Sequence, residues 1–422
     1  MEPSRMRASP GPLRDKRFRT LWIGQTLSFT GSAVFPVALT LALVKGEGSV
    51  SDLGLILAAG IFAEGAFLLI GGVWADRLPR QKVMLAADAV RCVGHVLIGM
   101  GFLHGEVGTH VLVAVSALVG AAGGFFRPAS SGLIPATVEP EVLQQANALM
   151  AVSKRTAMLI GPAVATALTL GVGVGWAMIL DGATFAVSMI SLAILKIPHT
   201  PLPRRRFISD LREGWDEVRG RTWLWSNLVV HGMWNLARTA YFTVGAMVVI
   251  TRLGGDISWG IVTQGATLGA FAGALIALRV RPHRPLIVSN VCLALGAIPI
   301  ALIGAEANVW LIAITAALMT LALGLMGTLW ETTVQQEIPE EMLSRVSSYD
   351  WLMSTVLSPV GMALAGPLAL VVGAAPVLYG AAGLMVVSCL GVLALRDVRT
   401  LEPRPVSSHS AEEVNNEIPA AN

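Results

Sequence analysis

Gly72-Val73-Trp74-Ala75-Asp76-Arg77-Leu78-Pro79-Arg80-Gln81-Lys82 sets one acid and three bases between two long apolar runs, 53–74 and 83–103. Each run matches the ~20 residues that an α-helix needs to cross a hydrocarbon core. The charged joint between them must therefore lie at a water interface. Its charge density exceeds what a solvated turn needs, which points to a second role; an ordinary solvated turn is the alternative.

The same logic extends along the chain. The sequence has 422 residues, of which 54% are hydrophobic and 14% charged. Its mean hydropathy is +0.67. Soluble domains carry about 25% charged residues, so most of this chain belongs in lipid. The 44 glycines suit close helix packing there. Twelve apolar runs can be placed, at 21–44, 53–74, 83–103, 110–133, 148–170, 175–195, 223–250, 259–277, 286–303, 309–334, 349–371 and 376–395. The fold expected is an all-α membrane protein of twelve transmembrane helices in two pseudo-symmetric six-helix halves. The halves span 21–195 and 223–397, with a short segment 1–20 before them and a polar tail 398–422 that reads as disordered.

Most of the 30 Lys and Arg residues fall in segment 1–20, the even-to-odd loops and the tail. Opposite loops hold Lys45 and Arg252. Positive residues favour the cytoplasm, so both termini are expected there, in a plasma (inner) membrane. The longest polar interruption, 196–222, contains Arg204-Arg205-Arg206 and then 207–219, where Phe207, Leu211, Trp215 and Val218 recur at helical spacing. It reads as an amphipathic helix on the membrane surface, either a plain linker or a lipid-sensing one.

The halves echo each other. Arg19-Thr20-Leu21-Trp22 opens the first run, Arg221-Thr222-Trp223 the seventh, and Gln25 and Asn227 each lie six residues beyond the Arg. Ile134-Pro135 and Ile338-Pro339 follow the fourth and tenth runs, and Arg127 and Glu331 each stand seven residues before them. Two six-span repeats in one chain is a transporter architecture.

The hairpin motif resembles the loop between spans 2 and 3 of the major facilitator superfamily, with Pro79 in place of a Gly. Trp22-Ile23-Gly24-Gln25, Phe125-Phe126-Arg127-Pro128-Ala129, Gly161-Pro162 and Asp181-Gly182-Ala183-Thr184-Phe185 add to the resemblance, which covers about residues 18–397. It is similar to the drug- and siderophore-exporter branch, although the basic residue that family carries early in span 4 is missing from 111–124.

The resemblance implies a gating loop of Gly72, Asp76, Arg77, Arg80 and Lys82, with Asp76 latching onto the start of span 11 near Ser347-Ser348. Asp88 and Arg91, three apart, would pair and brace that hairpin. The second half's equivalent loop, 279–284, has no acid, so the latch reads as one-sided. Gly161 and Pro162 resemble an antiporter-type bend, with close packing as the alternative.

Ionisable groups inside spans are functional candidates. Glu64, midway along span 2, is one for proton coupling, or else a hydrogen-bonded Glu at a helix interface. Arg127 and Glu331 suggest a gate pair that closes with the inner side; local pairing within each half is the other reading. Asn227, His231, Asn235 and Arg238 share one face of span 7, and Gln25, Ser28 and Ser32 one face of span 1. With Trp234 and Trp330 they read as a substrate wall or as polar helix–helix contacts. Lys154 and Arg155 read as reaching lipid headgroups.

No Walker-type loop or metal-spaced cluster occurs in the sequence, no enzyme chemistry is expected, and no cofactor. The expected partners are a small-molecule substrate, protons and the lipid bilayer, without nucleic acid, for a monomer. The expected activity is secondary export of small lipophilic or amphipathic compounds, such as a drug, macrolide, siderophore or natural product, by alternating access in exchange for protons. An importer or uniporter of the same fold is the nearest rival.

Overall fold

The computed structural model describes residues 11–45, 50–105, 107–197 and 207–402, all of whose regular elements are helical. The run Arg204-Arg205-Arg206, the first ten residues and the tail beyond 402 lie outside them. The first half contains α1 (Lys16–Lys45), α2 (Val50–Arg77), α3 (Arg80–His104), α4 (Thr109–Leu133), α5 (Leu143–Gly171) and α6 (Val174–Ile194). A linker helix α7 (Phe207–Gly220) follows. The second half begins with α8 (Thr222–Ala240), a π-turn over Tyr241–Gly245 and α9 (Ala246–Arg252), which together make one span. It continues with α10 (Gly255–Ala277), α11 (Pro285–Ala294), α12 (Ala297–Gly304), α13 (Val309–Glu337), α14 (Leu343–Thr355), α15 (Ser358–Val372), α16 (Ala374–Gly391) and α17 (Arg396–Thr400).

Ten spans are long and apolar enough to cross a bilayer on length and composition alone. The more polar α5 and the segmented run through α8 and α9 complete twelve, so this is a multi-pass membrane protein. The eleventh span differs from the sequence boundary. It starts at Leu343, after a 3-10 turn Glu340–Met342, six residues ahead of the apolar run. Its first turns are polar and buried (Ser344, Arg345, Ser347, Ser348), which hid them from a hydropathy reading.

Within the halves, α2 packs on α4 and α10 on α13, in equivalent ways. Glycine permits both contacts. A Cβ on Gly124 of α4 would stand 2.7 Å from the Glu64 carbonyl oxygen and 2.9 Å from the Phe67 carbonyl carbon; one on Gly273 of α10 would stand 2.9 Å from Leu321 Cα. In lipid no hydrophobic effect drives helices together, so close backbone approach supplies the attraction. Gly161 acts likewise: its missing Cβ is the space taken by Ala33 of α1, while α5 continues helically through Pro162. The position serves packing of α5 on α1, and the helix shows no interruption there.

The apolar cores belong to separate halves. One large cluster draws only on residues from Val218 to Val398, and two others only on the first half. A small cluster of Ala148, Ala277, Leu325 and Leu329 joins them. The halves meet chiefly through α2 with α14, α4 with α14, and α5 with α10 and α13, at the end of the molecule that carries the basic hairpins.

Gly124→Leu should separate α2 from α4 and lower thermal stability in detergent, an overpacking cost of at least ~1–3 kcal/mol. Gly327→Leu, whose missing Cβ meets nothing within 4 Å, should leave the melting temperature nearly unchanged. Equal melting of the two variants would refute the close-packing account.

Candidate functional site: a charged cavity and the latch below it

Asp76 is 5% exposed at the end of α2. Its Oδ1 accepts from the Ser344 backbone N–H at 3.2 Å, and its Oδ2 from the Arg345 N–H and Nε at 3.1 Å each. The carboxylate thus sits on the first turn of α14, where helical N–H groups lack intrahelical partners and the dipole is positive. The contact falls at Ser344-Arg345, not at Ser347-Ser348, because the helix begins earlier. Ser348 faces Gly72 instead, where an added Cβ would lie 2.9 Å from the Ser344 carbonyl oxygen.

Arg80 binds the same joint. Its Nη2 donates to Asp76 Oδ1 at 3.2 Å and to the Glu340 carbonyl, its Nε to Ser344 Oγ at 3.1 Å, and its Nη1 to the Gly132 carbonyl at 2.8 Å. One guanidinium therefore ties the ends of α2 and α4 to the entry of α14. Arg77 turns elsewhere, to Asp210 of α7 at 2.6 Å, and Lys82 is exposed.

The linker helix reinforces this joint. Its buried residues are Asp210, Gly214 and Val218. Arg345 Nη1 reaches Glu213 at 3.1 Å, the Tyr349 hydroxyl donates to the Leu211 carbonyl at 2.9 Å, and Trp215 packs on Tyr349 at 5.6 Å between ring centroids. Steps of four from Asp210 through Gly214 to Val218 place this face on the second half, and Arg77 of the first half holds Asp210. An expectation of simple surface lying missed this face because its key members, Asp210 and Gly214, are not apolar.

Across the pseudo-twofold, α5 meets α10 by a different chemistry. The Gln144 side-chain amide donates to the Ala277 carbonyl at 3.1 Å and to that of Val280. The second contact needs no acid, because here the moving groups reversed: α5 offers the donor and the helix end offers its orphan carbonyls.

Above these contacts lies a cavity of about 600 Å³. Its walls include Ser28, Ser32, Phe35, Phe126 and Trp351, and its ionisable groups are Glu64, Arg91, His95, Arg127, Lys154 and Glu331. Lys154 projects into it, which corrects the headgroup reading; its exposure is to this space. Arg127 donates to Glu64 on α2 and stacks its guanidinium 4.5 Å over Trp351. It does not pair with Glu331. Glu331 accepts from Ser131 Oγ across the halves and from Gln335 Nε2 at 3.1 Å. The basic end is closed in this structure, so closure there does not bring Arg127 to Glu331. Glu64 already satisfies the arginine, and Ser131 occupies the acid. Asn147 completes the floor, donating to Thr332 Oγ1 at 3.0 Å and Gln335 Oε1 at 2.6 Å.

Other expected wall residues are not in the wall. The face of α8 turns inward to its own half. Asn227 accepts from Asn290 at 2.8 Å, Trp234 Nε1 donates to the Leu293 carbonyl at 3.0 Å, Asn235 donates to the His231 carbonyl, and Arg238 holds Asn235 at 3.2 Å. His231 packs edge-on against Trp330 at 4.6 Å, and Trp330 Nε1 donates to Asp350 at 2.7 Å. In lipid an unmatched polar group costs several kcal/mol, and α11 and α14 supply the matches. Of the three polar candidates on α1, Ser28 and Ser32 border the cavity, whereas Gln25 bonds Ser188 at 3.1 Å. Ser188 in turn donates to Asp88 at 2.7 Å, and Asp88 holds Arg91 at 3.4 Å. That ion pair braces α3 to α6, not the hairpin.

Arg345, Asp350, Asn147, Ser131 and His95 were not singled out from sequence, and Asp181 entered only as part of a motif that carried the resemblance. Extending the repeat past Ile338-Pro339 would have reached Arg345 at the same membrane face as Asp76; the others carry no spacing signal.

Asp76→Asn should weaken the joint, since it removes the buried carboxylate that Arg80 and Arg345 share and leaves them only the more exposed Glu340 and Glu213, a loss on the order of 3–5 kcal/mol at most. Spin labels at Lys82→Cys and Glu341→Cys, in a background lacking Cys92, Cys292 and Cys389, should report a short interhalf distance. In Asp76→Asn the distribution should shift to longer distances. An unchanged distribution would show that the latch does not hold the halves.

The chain resembles known proteins along most of its length. Enterobactin exporter EntS of Citrobacter koseri is 26% identical over 404 residues, covering 92% of this chain and 94% of the relative. The crystal structure of a bacterial homologue of the iron transporter ferroportin in an outward-facing state superposes with a TM-score of 0.74 at 15% identity, covering 90% of this chain and 99% of that one. The transporter FucP in its outward conformation superposes at 0.71 and 12%, covering 89% and 98%. The Major Facilitator Superfamily model matches residues 21–362. With twelve spans, two packed halves and a cavity between them, this chain is a membrane transporter, not an enzyme, and belongs to the Major Facilitator Superfamily.

Proposed function

We propose that this protein is a secondary exporter of small amphipathic organic compounds, of the siderophore or drug kind, that works by alternating access in exchange for protons. The basic end with both termini faces the cytoplasm of a bacterial inner membrane. The observation that carries this reading is the cavity itself: aromatic and aliphatic walls over a floor where Lys154, which makes no ion pair within 4 Å among the described residues, stands beside the acids Glu64 and Glu331. Such a space takes a largely apolar body with one or a few polar or anionic groups. Resemblance to enterobactin exporters supports the same class. With the latch closed on the cytoplasmic side, the cavity is the outward-facing arrangement, from which cargo leaves and protons enter.

The test is proton movement in energised inside-out vesicles, followed with a pH-sensitive dye while enterobactin and a panel of lipophilic drugs are added. Wild type should release protons on addition of a transported compound, and Asp76→Asn should not. Movement of labelled compound without protons would identify a uniporter, and accumulation of compound by whole cells an importer. Lys154→Gln should raise the half-saturating concentration of anionic compounds about tenfold or more, the worth of one charge-assisted hydrogen bond of ~1.5–3 kcal/mol, while neutral compounds are little affected. Equal losses for both classes would remove Lys154 from substrate recognition.

A further inference from the structure

His95 of α3 lies deep in the span, 3% exposed, on the border of the cavity. Its Nδ1 is 2.6 Å from Oδ2 of Asp181 on α6, itself 2% exposed. Phe35 of α1 stacks on the imidazole at 4.7 Å and Phe185 of α6 meets it edge-on at 5.4 Å. A carboxylate against Nδ1 places the neutral ring's proton there, donated to Asp181. That leaves the Nε2 lone pair open. Nε2 is buried and has no hydrogen-bond partner among the described residues, and neither has the second oxygen of Asp181, Oδ1. A pair built only to join α3 and α6 would have both outer atoms satisfied, since buried polar groups are nearly always hydrogen-bonded. Here the site is half-filled at each end, in low-dielectric surroundings, at the border of the cavity.

We infer that His95 and Asp181 form a reversible proton-binding site reached from the cavity, and that it couples proton movement to transport. The coupling role rests on the proton-exchange reading above; the binding chemistry does not. A proton carried in by cavity water adds to the Nε2 lone pair, and the donor's O–H bond is the one that breaks. The pair passes from one net negative charge to an imidazolium–carboxylate of net zero. Release to water on the other side reverses the step. Neutralising a buried charge changes the cost of enclosing the site, which is what a coupled transporter must sense.

The surrounding charges are few. The helix α6 offers Asp181 alone, and α1 offers Ser28, Ser32 and Phe35 with no ionisable group between Thr20 and Val44. From its own helix come Asp88 and Arg91, already paired with each other. From the other walls come Glu64 of α2 and Arg127 of α4, also paired, and Lys154 of α5. No second carboxylate is therefore in contact with the imidazole to compete with Asp181.

The experiment is a pH titration of the full-length protein in lipid nanodiscs with ¹⁵N-labelled histidine, read by side-chain nitrogen NMR. The seven histidines are resolved by the signal lost in His95→Gln. The expected result is one imidazole that takes up a second ring proton reversibly on acidification, keeps its Nδ1 proton, and changes its midpoint in Asp181→Asn. A wild-type spectrum in which no imidazole carrying an Nδ1 proton gains a second ring proton on acidification overturns the proposal even if no variant folds. So does a midpoint that Asp181→Asn leaves unmoved. In vesicles, His95→Gln should lose compound-driven proton release while retaining exchange of labelled enterobactin across the membrane. Unaltered proton release in that variant refutes the coupling role. A titrating His95 in a protein that moves no protons with any compound would sink the exchange reading while upholding the site.

Discussion

The carboxylate of Asp76 sits at the first turn of α14, among two backbone N–H groups and the guanidinium groups of Arg80 and Arg345. A membrane protein has no water in its core to satisfy polar groups, so every such group must find a partner in the protein. At this joint the partners lie in opposite halves. Any motion that parts the halves strips the acid from the helix end and from Arg345, while Arg80 stays with it in the first half. Contact and motion are thereby coupled: the state with this end closed is held by charges that cannot be left apart without water reaching them. Salt-screened surface pairs contribute little by comparison; this pair is nearly excluded from solvent and correspondingly stronger.

The remaining interhalf contacts follow the same rule at other depths. Gln144 meets the frayed carbonyls at the end of α10, and Asn147, Gln335, Ser131 and Glu331 form a polar sheet beneath the cavity. These groups are neutral save one, so they part at lower cost than the Asp76 joint. The linker helix adds a third layer. Because α7 contacts both Arg77 and Arg345, the chain segment that joins the halves also presses on the groups that lock them.

The cavity concentrates charge where the latch ends. Arg127 is shared between Glu64 and the face of Trp351, so it belongs to both halves without forming an acid–base bridge between them. Guanidinium over an indole keeps much of its attraction when desolvated and slides more readily than a bidentate ion pair. Lys154 makes no ion pair within 4 Å among the described residues and lines the cavity. His95 and Asp181 stand apart from this group, paired with each other across α3 and α6 and surrounded by phenylalanine, so a proton there is felt by the packing of the first half and not only by the cavity electrostatics.

Twelve spans, the charged hairpin and the internal repeat were legible in sequence because each depends on local physics. Apolar length sets a span, and a dense charge cluster between spans must meet water. The repeat that aligned Arg127 with Glu331 was equally visible, yet its inference of a direct pair failed, since equivalence in sequence says nothing of which neighbour each side chain reaches first. The polar face of α8 was read correctly as a stripe and placed on the wrong surface: helical periodicity defines a face, while rotation of the helix about its axis decides what that face meets. Asn290 and Leu293 lie 63 and 59 residues beyond Asn227 and Trp234, and Asp350 lies 20 residues beyond Trp330 on the next helix, and no spacing links the members of these pairs. The sequence by itself determined which segments lie in lipid and where charge gathers between them, because those are sums over neighbouring residues. Only the tertiary structure decided which buried donor faces which acceptor, because hydrogen-bond and ion-pair matching acts over about 3 Å between residues far apart in the chain.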